Sequence, residues 1–138
     1  MNWRLILYLS LFGPLIGGLK VFGLLPRGME LFAWLVVTVF CSIVIGRQPG
    51  LKHFANGAVV GFISGATETL IQGLFAATLV SNNPWIVSEF ADMPEGFDTQ
   101  FFIMMLVPFI GVTSAFAGGF LAHLAARVMK RSREGTGT

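Results

Sequence analysis

Glu68 is the side chain whose type and position in this sequence point most directly to chemistry. It lies near the middle of an apolar run over residues 54–80. A carboxyl group at that depth in a bilayer costs about 2.5–3.5 kcal/mol on insertion scales, so we expect it to face protein, a partner charge or water. Gln72 continues the same helical face four residues later. Glu68 and Gln72 are therefore candidates for an intramembrane polar site.

Lys20, in the first apolar run, is the candidate partner of Glu68. If both runs are helices that start on the same side of the membrane, the two residues lie at similar depths, because each residue advances a helix by about 1.5 Å. The residues leave three alternatives open: an ion pair between Lys20 and Glu68, a protonated Glu68 bonded to Gln72 or Thr69, and a proton or cation site. Lys20 could also extend outward to the membrane surface.

Three glycines lead to Glu68 along one helical face. Gly57, Gly61 and Gly65 are spaced four residues apart, and residues at that spacing are neighbours on a helix. Missing side chains let another backbone approach closely in lipid. The stripe predicts either packing inside the chain or an interface with a second copy or another membrane protein.

The remaining polar residues predict no cofactor, metal site or catalytic group. Haem ligation by His53 and His123 would need their imidazoles on facing helix surfaces, and sequence spacing across separate helices does not establish that. Cys41 is the only cysteine. The acidic residues of the 81–100 connection lack a calcium-loop pattern. No serine stands in a nucleophile-elbow context, and no phosphate-cradling glycine loop is present.

The composition is that of a membrane protein. Of 138 residues, 54% are hydrophobic and only 12% are charged, whereas soluble domains carry about 25% charge. The formal charge of +2 does not indicate nucleic-acid binding, because the basic residues lie beside apolar runs, where they act as topology signals. The predicted environment is the lipid bilayer.

Four apolar runs predict an all-α polytopic fold, with four transmembrane helices in an antiparallel bundle. The runs cover residues 5–24, 29–46, 54–80 and 101–126, each long enough to span a bilayer. They form a single domain over residues 1–138, with a retained first span and a disordered polar tail over 132–138. Residues 84–90 predict a short interfacial helix, with Trp85 and Ile86 dipping into the membrane.

The basic residues predict the orientation of the chain. Seven of the nine Lys and Arg residues fall on one side of the four-span arrangement, and only Lys20 and Arg27 fall at or toward the other. The positive-inside rule then places both termini in the cytoplasm.

The order of these features resembles a family of small four-span bacterial membrane proteins of unknown function. The resemblance rests on the basic loop 47–53 entering a glycine-rich helix through 54–57, the stretch around Asn83 and Pro84, and Pro108 followed by the basic segment 127–131. The resemblance implies a four-helix fold in a bacterial inner membrane. It does not imply any particular activity.

Two functions are consistent with the sequence. The first is a non-enzymatic scaffold or accessory subunit that associates with itself or with another membrane protein through the glycine face. The second is a small proton- or cation-coupled transporter or channel that uses Glu68.

Overall fold

The computed structural model describes residues 1–50, 52–89, 96 and 98–135, and these residues form helices and connections with no strand. Four helical segments are long and apolar enough to cross a membrane. The predicted all-α polytopic bundle is therefore confirmed.

The helices follow the apolar runs closely, with some differences at their ends. They are α1 (Trp3–Ser10), α2 (Phe12–Val21), α3 (Met29–Gly46), α4 (His53–Leu74), α5 (Ala76–Asn82), α6 (Pro84–Glu89) and α7 (Thr99–Gly135). α1 and α2 together make the first span, and the third predicted run is divided at Phe75. α7 continues to Gly135, so residues 132–135 are helical where the sequence predicted a disordered polar tail; residues 136–138 lie outside the described residues.

Antiparallel neighbours define two ends of the bundle. The first end holds the start of α1, the α3–α4 connection and the last turns of α7, and we call it the basic end. The other, the far end, holds the α2–α3 connection, α5 and α6. Gly28 at the far end and Gly50 at the basic end have φ of 83° and 74°, a left-handed conformation that favours glycine in tight connections.

α4 is the central helix and packs most extensively against α7. Its glycine stripe faces that helix: a Cβ on Gly57 would collide with the carbonyl oxygen of Gly118, and a Cβ on Gly61 with the carbonyl oxygen of Ser114. At Gly65 a Cβ would lie 2.9 Å from the Ser114 Cβ. The sequence left open whether the stripe packs inside the chain or against another chain, and in the structure it packs inside the chain, against α7. The missing side chains let the two backbones approach closely.

A second close approach joins α2 to α4. A Cβ on Gly13 would collide with the backbone of Ser64, and one on Gly17 would lie 2.9 Å from the carbonyl oxygen of Glu68. α2 therefore passes directly beside Glu68.

The far end is closed by asparagine side chains and by α6. Asn82 and Asn83 donate hydrogen bonds to the carbonyls of Val21 and Lys20, at 3.0 and 2.9 Å, and so bind the end of the third span to that of the first. The predicted helix at residues 84–90 is present as α6, but Ile86 is buried among residues of the bundle, including Val21. The prediction that Ile86 dips into the membrane is wrong, because the side chain fills the space between the spans.

Candidate intramembrane polar site

The carboxyl group of Glu68 is buried and hydrogen-bonded on both oxygens. The residue is 2% exposed. Its Oε2 accepts a hydrogen bond from Trp34 Nε1 of α3 at 2.5 Å, and its Oε1 accepts one from Gln72 Nε2 at 3.0 Å. Both donors are uncharged groups, so they satisfy the oxygens without balancing a negative charge.

Lys20 forms its ion pair with Glu30 and not with Glu68. The Lys20 Nζ lies 2.5 Å from both carboxylate oxygens of Glu30. Lys20 is one residue from the end of α2, and Glu30 is in the first turn of α3. The turn between these helices therefore places the two side chains at the same end of the bundle. The estimate of depth from residue numbers along each span compared Lys20 only with Glu68 and did not reveal this pair.

Glu30 links this ion pair to Glu68. Glu30 and Glu68 line the same cavity, so their carboxyl groups and the ammonium group of Lys20 act on one another electrostatically. Two carboxyl groups that share a site do not both carry a full charge without cost, because their charges repel. The cluster thus holds two acidic groups and one ammonium group, and we call Lys20, Glu30 and Glu68 the charged triad.

The triad opens into a cavity of about 460 Å³ between the spans. Thr69, Gln72, Trp34 and Ser114 complete its polar lining. Its other walls are apolar and come from α5, α6 and α7, with Leu79, Trp85, Ile86, Phe102, Ile103 and Leu106 among them. The guanidinium carbon of Arg27 lies 5.5 Å from the centre of the Trp85 ring, within cation–π distance.

The structure brings together the polar residues that the sequence singled out. Glu68, Gln72 and Lys20 line one cavity, whereas the glycine stripe lies at the α4–α7 contact. The Thr69 hydroxyl donates to the carbonyl of Gly65 at 2.9 Å instead of to Glu68. Of the two residues predicted to bond Glu68, Gln72 is hydrogen-bonded to it and Thr69 is not.

Sequence reasoning missed Trp34 and the role of Glu30 in the site. The two residues are four apart on α3 and so lie on one helical face. An indole N–H within an apolar span requires an acceptor when it is buried. The need of the Trp34 indole for an acceptor, and its position four residues after Glu30, were the two features of the sequence that pointed to these residues.

His53, His123 and Asp98 do not line the cavity of the triad. His53 and His123 both line a second cavity at the basic end. Asp98 accepts hydrogen bonds from the backbone N–H groups of Gln100 and Phe101 and so caps α7. Asp92 and Glu95 lie outside the described residues. Within the described ranges, no group of three or more His, Cys, Asp or Glu side chains is placed to hold a metal ion.

Comparisons of this chain with protein-family models, with curated proteins and with solved structures found no match. The chemistry of the site is therefore the basis for inferring function. An acidic pair with one internal cation, beside an apolar cavity, can exchange a proton for a positively charged group.

Proposed function

We propose that this protein is a small membrane transporter in which the charged triad couples a proton to the movement of a small organic cation. The observation that carries the proposal is the imbalance of charge around the buried Glu68, which has two neutral hydrogen-bond donors and no ion pair of its own among the described residues.

The imbalance follows from counting charges at the cavity. Lys20 holds both oxygens of Glu30 and can balance one carboxylate. The second carboxyl group must then bind a proton or a cation, since a buried charge left without compensation is costly. A proton and a cationic solute would compete for the same position, and this competition is what coupling requires.

The walls of the cavity favour an organic cation over a bare metal ion. A volume of about 460 Å³ falls within the range of small-molecule sites. Trp34 and Trp85 offer aromatic surfaces, which attract organic cations through their ring electrons. Hard cations such as Ca²⁺ prefer six or more oxygen ligands, and in the described part of the chain no group of three or more acidic, His or Cys side chains is placed to hold a metal ion.

We further propose that the protein lies in a bacterial inner membrane with both termini in the cytoplasm. The basic end carries seven of the nine Lys and Arg residues, and cytoplasmic loops are enriched in such residues. The charged triad would then lie toward the periplasmic side. A glycine-mediated scaffold receives less support, because α7 of the same chain covers Gly57, Gly61 and Gly65. The proposed activity is non-enzymatic.

Proteoliposomes test this proposal directly. We would measure uptake of ethidium, a fluorescent organic cation, under an imposed pH gradient, together with the counterflow of protons reported by an internal pH dye. The wild-type protein should take up ethidium only when the gradient is present. Glu68→Gln should abolish the gradient-dependent uptake, because the titratable proton is lost. The amide oxygen can still accept from Trp34 Nε1, and the amide nitrogen can donate to the Gln72 oxygen once the Gln72 amide is turned over.

Asp98→Asn is the matched control. It removes one carboxylate at the same end of the bundle, outside the cavity, and asparagine preserves the helix cap. It should transport like the wild type. Uptake no greater than in protein-free liposomes, or full uptake by Glu68→Gln, would refute the proposal. Stoichiometric co-purification of another membrane protein, without flux, would favour the scaffold.

A further inference from the structure

We propose that the second cavity, at the basic end, binds a phosphate group carried by an anionic lipid or by a soluble phosphate compound. The cavity has a volume of about 390 Å³ and lies where α3 ends, α4 begins and the last third of α7 passes. It is separate from the charged triad and does not depend on the transport proposal.

The cavity gathers basic side chains from three parts of the chain. Arg47, His53, His123, Arg127 and Lys130 line it, and no carboxylate is found among its described lining residues. In the described part of the chain, neither Arg47 nor Arg127 has a carboxylate partner. Like charges converging around one space repel each other, and an anion bound between them would relieve that repulsion.

The types and positions of these side chains fit a phosphate group. The guanidinium groups of arginine present several N–H donors in a planar fork that matches phosphate oxygens. His53 Nε2 donates to the carbonyl of Gln48 at 3.0 Å, which orients the ring at the cavity wall. α4 begins at His53 without a side-chain cap, so its first backbone N–H groups add partial positive charge beside the same cavity.

The location also suits a phosphate group. The cavity lies at the end of the apolar spans, where the headgroups of a surrounding bilayer begin. Basic pockets between transmembrane helices at this level are suited to anionic lipid headgroups. A soluble phosphate compound could reach the same donors from the adjoining water. The two sources share the phosphate chemistry and differ in whether acyl chains contribute to binding.

Native mass spectrometry of the full-length protein in detergent tests the site. The probes are phosphatidylglycerol, phosphatidylcholine as the lipid without net charge, and inorganic phosphate as a competitor. Phosphatidylglycerol should bind more tightly than phosphatidylcholine. Arg47→Gln and Arg127→Gln should each weaken its binding by about fivefold, as expected from about 1 kcal/mol for each basic residue near an anionic headgroup.

Arg4→Gln is the matched control, because it removes one positive charge from the same end of the bundle without lining the cavity. Arg127→Lys should lose less affinity than Arg127→Gln, because it keeps the charge and loses the fork. Arg47 and Arg127 are exposed, so both variants should elute like the wild type in size-exclusion chromatography.

The outcomes separate the sources and can overturn the proposal. Selective phosphatidylglycerol binding that millimolar inorganic phosphate does not displace supports a lipid headgroup. Displacement by inorganic phosphate, lost in Arg47→Gln, supports a soluble phosphate compound. Equal binding of both lipids with no effect of phosphate overturns the site, as does an equal loss of affinity in Arg4→Gln.

Discussion

Gly61→Ala is the most direct test of the central helix contact. A Cβ at this position would collide with the carbonyl oxygen of Ser114 and lie 2.7 Å from the Ser114 carbonyl carbon and 3.1 Å from the Ala115 nitrogen. All three atoms belong to the backbone of α7, so no side-chain rotation can relieve the contact. The two helices would have to separate by about 1 Å to restore ordinary van der Waals distances.

The cost of that separation can be set against the usual benefit of alanine. Alanine is better than glycine in a helix by about 1 kcal/mol. A gap of about 1 Å along the α4–α7 contact forfeits a quarter to a half of the dispersion energy of each affected atom pair, and overpacking typically costs about 1–3 kcal/mol. Because the obstacle here is backbone, we expect a cost at the upper end and a net loss of about 1–2 kcal/mol in the free energy of unfolding.

Gly18→Ala is the matched control in the first span. No heavy atom lies within 4 Å of a Cβ built at Gly18, so only the helix preference remains, and the variant should be as stable as the wild type or more stable by up to about 1 kcal/mol. Reversible unfolding in mixed detergent micelles, followed by circular dichroism, measures both variants. Equal stabilities for Gly61→Ala and Gly18→Ala would show that the close approach at Gly61 is not present.

Three further outcomes are expected. Lys20→Met and Glu30→Gln should each destabilise the protein by about 1–3 kcal/mol, because each leaves one charge of the pair without its partner. The double variant leaves no lone charge and should lose less than the sum of the two single losses. Additive losses in the free energy of unfolding would contradict the ion pair. Asn83→Ala should cost about 1–3 kcal/mol, because it removes two side-chain hydrogen bonds and takes the Asn83 donor from the Leu79 carbonyl, while the Lys20 carbonyl keeps only the N–H of Gly23, whereas Ser88→Ala on the exposed surface should have little effect on the thermal midpoint. In intact cells, a membrane-impermeant thiol reagent should label Ser88→Cys and leave Gln48→Cys unlabelled, and the reverse pattern would invert the proposed orientation.

Much of the fold could be predicted from the sequence because a bilayer makes local composition decisive. A spanning segment must satisfy its own backbone hydrogen bonds and match the hydrocarbon thickness, so apolar length alone identifies it. The bounds of α3 were predicted as they occur in the structure, and Glu68 and Gln72 were identified by their spacing in an apolar helix. These properties depend only on neighbours along the chain.

The partners of those residues depended on the tertiary structure. Lys20 pairs with Glu30, Trp34 donates to Glu68, and the glycine stripe faces α7 of the same chain. Each of these contacts joins different helices, and their geometry depends on how the helices are rotated and shifted relative to one another. Apolar side chains find almost the same environment in lipid as against a neighbouring helix, so hydrophobicity alone does not fix the rotation of a helix. Side-chain packing between the helices fixes it. Residue order along the chain thus identifies the segments that are long and apolar enough to cross a membrane and the acidic group among them, whereas helix packing sets which groups that acid contacts.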